Sequence, residues 1–488
     1  MEYIVQTTSG KVCGFAEQDI VKYLGIPYAK PPVGALRYKR AVSVEPWSGI
    51  FEADHFGEKS VQFFNGENQG SEDCLTINIS APKEAEKLPV LVFIHGGGYN
   101  TGSAADPLLF GDAFVQKGIV YVTFQYRLNV LGFYDFQMYP GCEDFDSNCG
   151  LSDHLLAMRW IQENIKAFGG DPDRITIAGE SAGGTSVTML MAAPGAKGTF
   201  QQAISSSGIH NGVFTPEMQK KHVEMLMEGM GWTEKDLPKL KTMDPFAPLA
   251  AHEFGAKMHQ YRYPGIFLPS PVIDDLLPER IIEAIEGGSA KGIKLMIGSN
   301  HDEGTFFVRD KDTNFPNSWE MIASMFVKNG HADALPRVRK YYEQFGERAF
   351  IEFATDYAFR MPATRVAQAQ RTHGPVYLYQ FDFAPKKAQE MGFGASHAMD
   401  LTYEYGEPNK GFGQFLHEGE DPAVIQSVTD AMHGAWVSFV KTGVPCEEWP
   451  VYEGYKSPMR IYDRETRTET VDRTELMQVW NGLKFYAE

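Results

Sequence analysis

The stretch RITIAGESAGGTSVTMLMA, residues 174–192, constrains the fold more than any other part of the chain. Its first five residues are a β-branched, strand-forming run. Its last nine form a plausible helix, and Gly179-Glu180-Ser181-Ala182-Gly183 joins the two. A strand that turns this abruptly into a helix holds the central serine in a strained backbone conformation with its hydroxyl exposed. Side chains at positions 179 and 183 would collide across the turn, which accounts for the two flanking glycines. The following helix also aims its positive end at the serine. The segment therefore predicts a nucleophile at Ser181 on a strand–turn–helix elbow.

Further strands are predicted at 88–94, 118–126, 293–299 and 375–381, each rich in β-branched or aromatic residues. Between them lie amphipathic segments such as 151–168, which repeats apolar residues at helical spacing and stops at Gly169-Gly170. Near-continuous apolar strands alternating with helices imply an α/β protein with a large, mostly parallel central sheet and helices on both faces. With the elbow, this is the α/β-hydrolase fold, with insertions over the active site. The chain reads as one catalytic domain over 1–488. A more helical, Met- and Lys-rich insertion at about 209–290 is expected above the C-terminal edge of the sheet, where such folds bind ligands.

The strand at 88–94 runs into His95-Gly96-Gly97-Gly98-Tyr99. Three successive glycines are entropically costly, so the backbone there must approach something closely. In this fold such a loop gives N–H groups to the oxyanion of a tetrahedral intermediate, and the residue after the nucleophile, Ala182, gives another. The orienting acid should follow the serine, and Asp302 and Glu303 occupy the turn after the strand at 293–299. The residues alone leave both open. Of the later histidines (His331, His373, His397, His417, His433), His397 follows the flexible GFGAS loop and best suits a base reaching into the site.

Composition narrows the function classes. A formal charge of −18 disfavours nucleic acid and anionic membranes as partners. No apolar run approaches the roughly 18 residues of a membrane span. Five sparse cysteines without CxxC spacing suggest thiols in a reducing compartment, although Cys142 and Cys149 stand close enough in one loop to bridge. The N-terminal MEYIVQTTSGKVCGF has neither a basic start nor a secretory apolar stretch, so a cytoplasmic protein is expected. HExxH, GxxxxGK[ST] and GxGxxG motifs are absent, and no metal or organic cofactor is expected.

An ordered set of motifs spans nearly the whole chain: GIPYAKPPVG (25–34), SEDCLTIN (71–78), HGGGY (95–99), QYRLNVLGF (125–133), CGLSDH (149–154), FGGDP (168–172), GESAGG (179–184), NHDEGTFF (300–307) and SHAMDL (396–401). This set resembles the type-B carboxylesterase family. That family includes cholinesterases, the non-catalytic neuroligins and the bacterial p-nitrobenzyl esterases, which the chain resembles most in character. By position, the resemblance implies Ser181 as nucleophile, Glu303 as triad acid and His397 as base. It implies oxyanion donors at Gly97, Gly98 and Ala182, and support from a buried Glu180 and from the Ser207 hydroxyl. It also implies structural ion pairs Arg37–Glu72 and Arg127–Asp171. Cys74 matches a disulfide cysteine of secreted relatives, but no partner precedes it in the loop. Phe63 and Phe64 stand where cholinesterases carry a choline-binding tryptophan, which argues against that activity. With Tyr99, Phe306 and Phe307 they are candidates for an apolar pocket. Asn78-Ile79-Ser80 is a glycosylation sequon placed in a strand.

The function expected is hydrolysis of small to medium apolar carboxylic esters through an acyl-serine intermediate. An amidase or lipase would use the same residues. A non-catalytic interaction protein of the same fold is disfavoured because each triad position holds a competent residue.

Overall fold

The computed structural model describes residues 3–252, 262–309 and 315–486. Its strands are Tyr3–Gln6 (β1), Lys11–Glu17 (β2), Ile20–Pro27 (β3), Ile50–Glu52 (β4), Gln62–Phe64 (β5), Glu67–Gln69 (β6), Thr76–Pro82 (β7) and Leu88–Ile94 (β8). There follow Val120–Phe124 (β9), Gly170–Glu180 (β10), Gln202–Ser206 (β11), Lys294–Asn300 (β12), Val376–Phe381 (β13), Lys456–Tyr462 (β14) and Arg467–Asp472 (β15). Among the described residues thirteen of these form one sheet in the order β1-β2-β3-β7-β9-β8-β10-β11-β12-β13-β14-β15, with β4 beside β2; β5 and β6 pair separately. From β9 to β14 every neighbouring pair is parallel, and antiparallel strands close both edges. The five strands anticipated from sequence all belong to the parallel part.

The central strands β8 and β9 are almost wholly apolar because both faces are covered. On β8, Val90, Val92 and Ile94 join a cluster with Leu155, Met158 and Ile161 of the helix Cys149–Asn164 and Val187 of the helix Ala182–Ala192. The alternate residues Leu91 and Phe93 pack on the other face against Phe114 and against Val428, Met432 and Trp436 of the helix Pro422–Thr442. Each such side chain, fully buried, contributes roughly 1.5–3 kcal/mol of hydrophobic free energy. The helix predicted at 151–168 starts two residues earlier, and its last turn tightens to a 3-10 turn over Ile165–Phe168 before Gly169 ends it with φ 83°.

The segment predicted as a helical insertion contains the helix Pro216–Met230, a 3-10 helix Glu234–Lys241 and the helix Ile281–Glu286; residues 253–261 of it lie outside the described residues. Among the described residues no helix is long and apolar enough to cross a membrane. The Asn78 amide of the sequon is buried, accepting from the Gly25 N–H and donating to Thr123 Oγ1, so it presents no acceptor nitrogen at the surface.

One ion pair corrects an expectation. Arg37 pairs with Glu72 through two bonds of 2.6 Å, as anticipated. Arg127 instead pairs with Asp153, at 2.9 Å from Nε and 2.6 Å from a terminal nitrogen, and Asp153 also accepts from the Arg127 backbone N–H. The reason is geometric. Asp153 lies within the first turns of the helix Cys149–Asn164, under the loop that carries Arg127, whereas Asp171 caps its own turn by accepting from Asp173 N–H.

Candidate active site

Ser181 sits between β10 and the helix Ala182–Ala192 with φ 59° and ψ −124°, a conformation costing on the order of 1–3 kcal/mol for a non-glycine residue. The sheet enforces it. Ser181 N–H donates to Ser206 O at the end of β11, and Gly183 packs directly on β8, where a Cβ would lie 2.0 Å from Ile94 O. No side chain fits there, and the elbow reading of the sequence holds in three dimensions.

His397 reaches the serine from the loop after β13. Its Nε2 lies 2.9 Å from Ser181 Oγ and its Nδ1 lies 2.6 Å from Glu303 Oε2. Glu303 is fully buried, and its second oxygen accepts from Ser207 Oγ at 2.5 Å and from Asn300 N–H at 2.7 Å. Those two donors fix the carboxylate, which fixes the imidazole tautomer with Nδ1 protonated and Nε2 open toward the serine. The neighbouring acid, Asp302, turns away. It binds His301 and Arg348, and it accepts from Ala395 N–H at 2.9 Å. Burial would raise the Asp302 carboxyl, but His301 and Arg348 outweigh it and hold it well below the usual carboxylate range. Asp302 thus pins the loop that carries His397, and of these two neighbours Glu303 alone faces the imidazole. The other four histidines are elsewhere: His433, for example, bonds Glu404 O inside the helix Pro422–Thr442, and His373 bonds Glu286 O.

Glu180 completes the charge around the imidazole. Its Oε1 lies 3.3 Å from His397 Nε2, and burial raises its carboxyl despite that neighbour. Burial acts to lower His397, yet the carboxylates of Glu180 and Glu303 outweigh it and raise the imidazole above its ordinary value. Behind the site Asp400 accepts from Ser206 Oγ at 2.8 Å and from the Asn300 amide at 3.0 Å. Asp400 was missed from sequence, although its position three residues past His397 is a signal that it shares the site.

The glycine loop faces the serine. Gly97 has φ 104°, and a Cβ there would lie 2.2 Å from Thr101 O, so the loop folds tightly over itself. Among the described residues no protein acceptor takes the N–H of Gly97, Gly98 or Ala182. All three residues line one cavity of about 460 Å³ together with Ser181, His397 and Glu180. Much of its remaining wall is apolar: Ile209, Ile266, Phe267 and Leu268, with Phe306 and Phe307 beside the imidazole. Tyr99 lines it too, its hydroxyl held by Ser186 at 3.0 Å.

Phe63 and Phe64 do not line this cavity, contrary to expectation. They lie on the β5–β6 hairpin, where alternation sends Phe63 into a cluster with Val61, Tyr134 and Phe136 and leaves Phe64 49% exposed. Phe64 borders a neighbouring cavity of about 510 Å³ instead, which meets the first at Gly97, Thr101 and Glu180. A polar relay also escaped the sequence reading. The Asn100 amide donates to Leu268 O, its carbonyl meets His252 Nε2 at 2.7 Å, and His252 Nδ1 meets the Tyr134 hydroxyl at 2.9 Å. It ties the cavity-lining segment Ile266–Ser270 to the glycine loop, and nothing in residue spacing signals it.

A hydroxyl bonded to an imidazole, an imidazole oriented by a buried carboxylate, and unused N–H groups in a mostly apolar pocket suit acyl transfer. The sheet order and the elbow are those of the α/β-hydrolase fold, and the protein is a carboxylic ester hydrolase. The chain belongs to the carboxylesterase family, whose sequence model matches residues 1–480. It is 34% identical to the para-nitrobenzyl esterase of Bacillus subtilis over 97% of this chain and 98% of that protein. It is 32% identical to the phenmedipham hydrolase of Pseudarthrobacter oxydans over 92% of each. A solved PNB esterase structure superposes with a TM-score of 0.85 at 33% identity, covering 98% of this chain and 99% of that one.

Proposed function

We propose that Ser181 is the nucleophile, His397 the general base and acid, and Glu303 the group that orients and charge-balances the imidazole. The observation that carries this reading is the unbroken chain from Ser181 Oγ to His397 Nε2 at 2.9 Å and from His397 Nδ1 to Glu303 at 2.6 Å. His397 takes the serine proton as Oγ attacks the ester carbonyl. The N–H groups of Gly97, Gly98 and Ala182 receive the oxyanion, and His397 returns the proton to the leaving alcohol. Water then repeats the sequence on the acyl-serine. Glu180 stabilises the imidazolium by charge, and Ser207 keeps Glu303 in register.

The apolar walls of the 460 Å³ cavity support small to medium apolar esters as substrates. Tyr99, Phe306 and Phe307 contribute to that pocket. The reading takes the chain as one catalytic domain in which the 209–290 excursion supplies a wall through Ile266–Ser270. The test is hydrolysis of p-nitrophenyl esters from acetate to palmitate. Ser181→Ala should lower turnover by roughly 10⁴–10⁶-fold, and wild-type activity should peak at short to medium chains. Retention of a tenth of the wild-type turnover in Ser181→Ala would refute the assignment.

A further inference from the structure

A cation-rich cavity lies apart from the one that holds the serine. A cleft of about 550 Å³ opens between the helix Ile281–Glu286, the helix Met361–Gln370 and the segment 481–485. Arg280, Arg365, Arg371 and Lys484 line it, against Glu283 and Glu286. Lys484 and Glu283 neutralise one another at 2.7 Å, which leaves three guanidiniums facing one carboxylate. In a chain of net charge −18 that is a local reversal of sign.

The guanidiniums lack carboxylate partners within 4 Å among the described residues. Arg280 donates to Tyr486 O at 3.0 Å, and Arg365 donates to Trp480 O and Leu483 O at 2.6 and 3.3 Å. Burial depresses both groups, and the more distant charge of Glu283 offsets it only in part. Each guanidinium has five N–H donors, so both keep donors beyond those the C-terminal segment takes. An unpaired, half-buried guanidinium is a strong attractor for a carboxylate, which it binds through two parallel bonds.

The same cleft holds bare acceptors. His210 is 1% exposed. Thr188 Oγ donates to Thr185 O at 3.0 Å, so it accepts the His210 Nδ1 proton at 2.9 Å and leaves Nε2 as an acceptor with no partner. Asn211 Oδ1 and Gln368 Oε1 are likewise buried and without a partner. Burying such acceptors unpaired costs about 1–3 kcal/mol each, so the site suits a donor. Apolar surface from Val213, Ile282, Met361 and Phe485 completes the lining.

We propose that this cleft is a second ligand site, selective for a small carboxylate on an apolar or aromatic body that also carries a hydrogen-bond donor. The guanidiniums take the carboxylate, the apolar side chains take the body, and the acceptors around His210 take the hydroxyl. The site is separate from the serine cavity but shares a wall with it. Ile209 and Gly212 face the serine cavity, while His210, Asn211 and Val213 face this cleft.

The test is isothermal titration of the full-length protein at low salt with 4-hydroxyphenylacetate, and with its neutral amide as the matched probe. The proposal predicts saturable binding of the acid and at least tenfold weaker binding of the amide. It predicts at least a threefold rise in Kd in Arg371→Gln, whose side chain is exposed and makes no hydrogen bond or ion pair among the described residues. Arg365→Gln should raise Kd at least tenfold, and Arg371→Gln keeps the test decisive if Arg365→Gln loosens the C-terminal segment. Absence of binding at millimolar acid, equal binding of acid and amide, or a Kd unchanged in Arg371→Gln would each overturn it.

Discussion

Gly183→Ala isolates the role of the elbow, because it leaves Ser181, His397 and Glu303 chemically intact. The added Cβ would lie 2.0 Å from Ile94 O, 2.9 Å from Ile94 C and 3.0 Å from His95 O. An ordinary non-bonded contact needs roughly 3.5 Å, so the shortfall against the carbonyl oxygen is about 1.5 Å. Ile94 ends β8 in the middle of the sheet and cannot retreat, so the start of the helix Ala182–Ala192 must move. That displacement carries the Ala182 N–H and the Ser181 hydroxyl with it. A misplacement of about 1 Å costs on the order of 10²-fold, and loss of one oxyanion donor costs about 10²–10³ in kcat. The expected outcome is a fall of about 10²- to 10⁴-fold in kcat/KM for p-nitrophenyl acetate, measured beside Gly434→Ala. Gly434 lies in the helix Pro422–Thr442 with open space around its Cβ position, and alanine there should stabilise by about 0.5–1 kcal/mol without changing rate. A Gly183→Ala enzyme within threefold of wild type would refute the steric account of the elbow.

Three other perturbations follow from the same geometry. In urea unfolding, Asp153→Ala should cost about 3–5 kcal/mol by stranding the buried Arg127, whereas Asp171→Ala should stay within about 0.5 kcal/mol; equal effects would contradict the corrected ion pair. Because Glu180 and Glu303 raise His397, the base is protonated and idle at low pH, and kcat/KM must rise as pH increases through its pKa. Glu180→Gln removes part of that lift and should move the acid limb of the kcat/KM profile to lower pH by about one unit, where an unmoved or upward limb would count against the coupling. Phe307→Ala should change KM for p-nitrophenyl hexanoate severalfold, while Phe64→Ala should leave it within twofold, and the reverse order would restore the hairpin to the pocket.

What the sequence discloses here depends on how local the physics is. The elbow is legible because a change from strand-like to helix-like residues across Gly-x-Ser-x-Gly has one good solution. The parallel strands β8, β9, β12 and β13 are legible because burial on both faces makes them largely apolar, whereas β11 (QAISS) and β14 (KSPMRIY) carry polar residues and give no such signal. The choice between Asp302 and Glu303 is not local. It depends on which side of the turn meets His397, ninety-four positions on, and which meets Arg348 and Ala395 N–H. The partner of Arg127 fails by the same logic, because the first turns of a helix packed beneath a loop cannot be read from spacing. Phe63 and Phe64 are close to the site in the chain, yet hairpin alternation turns them away from it. The link from Asn100 to His252 spans 152 positions between two segments with no shared pattern.

The central claim is that Ser181 forms the covalent intermediate, and active-site labelling tests it most directly. The protein would be treated with a p-nitrophenyl alkylphosphonate, with release of p-nitrophenol counted and the modified peptide found by mass spectrometry. The account predicts one equivalent of p-nitrophenol per chain, complete loss of esterase activity, and a single adduct on Ser181 that forms far more slowly in His397→Ala. Inactivation with the adduct on any other residue, or full labelling that leaves activity intact, would contradict it.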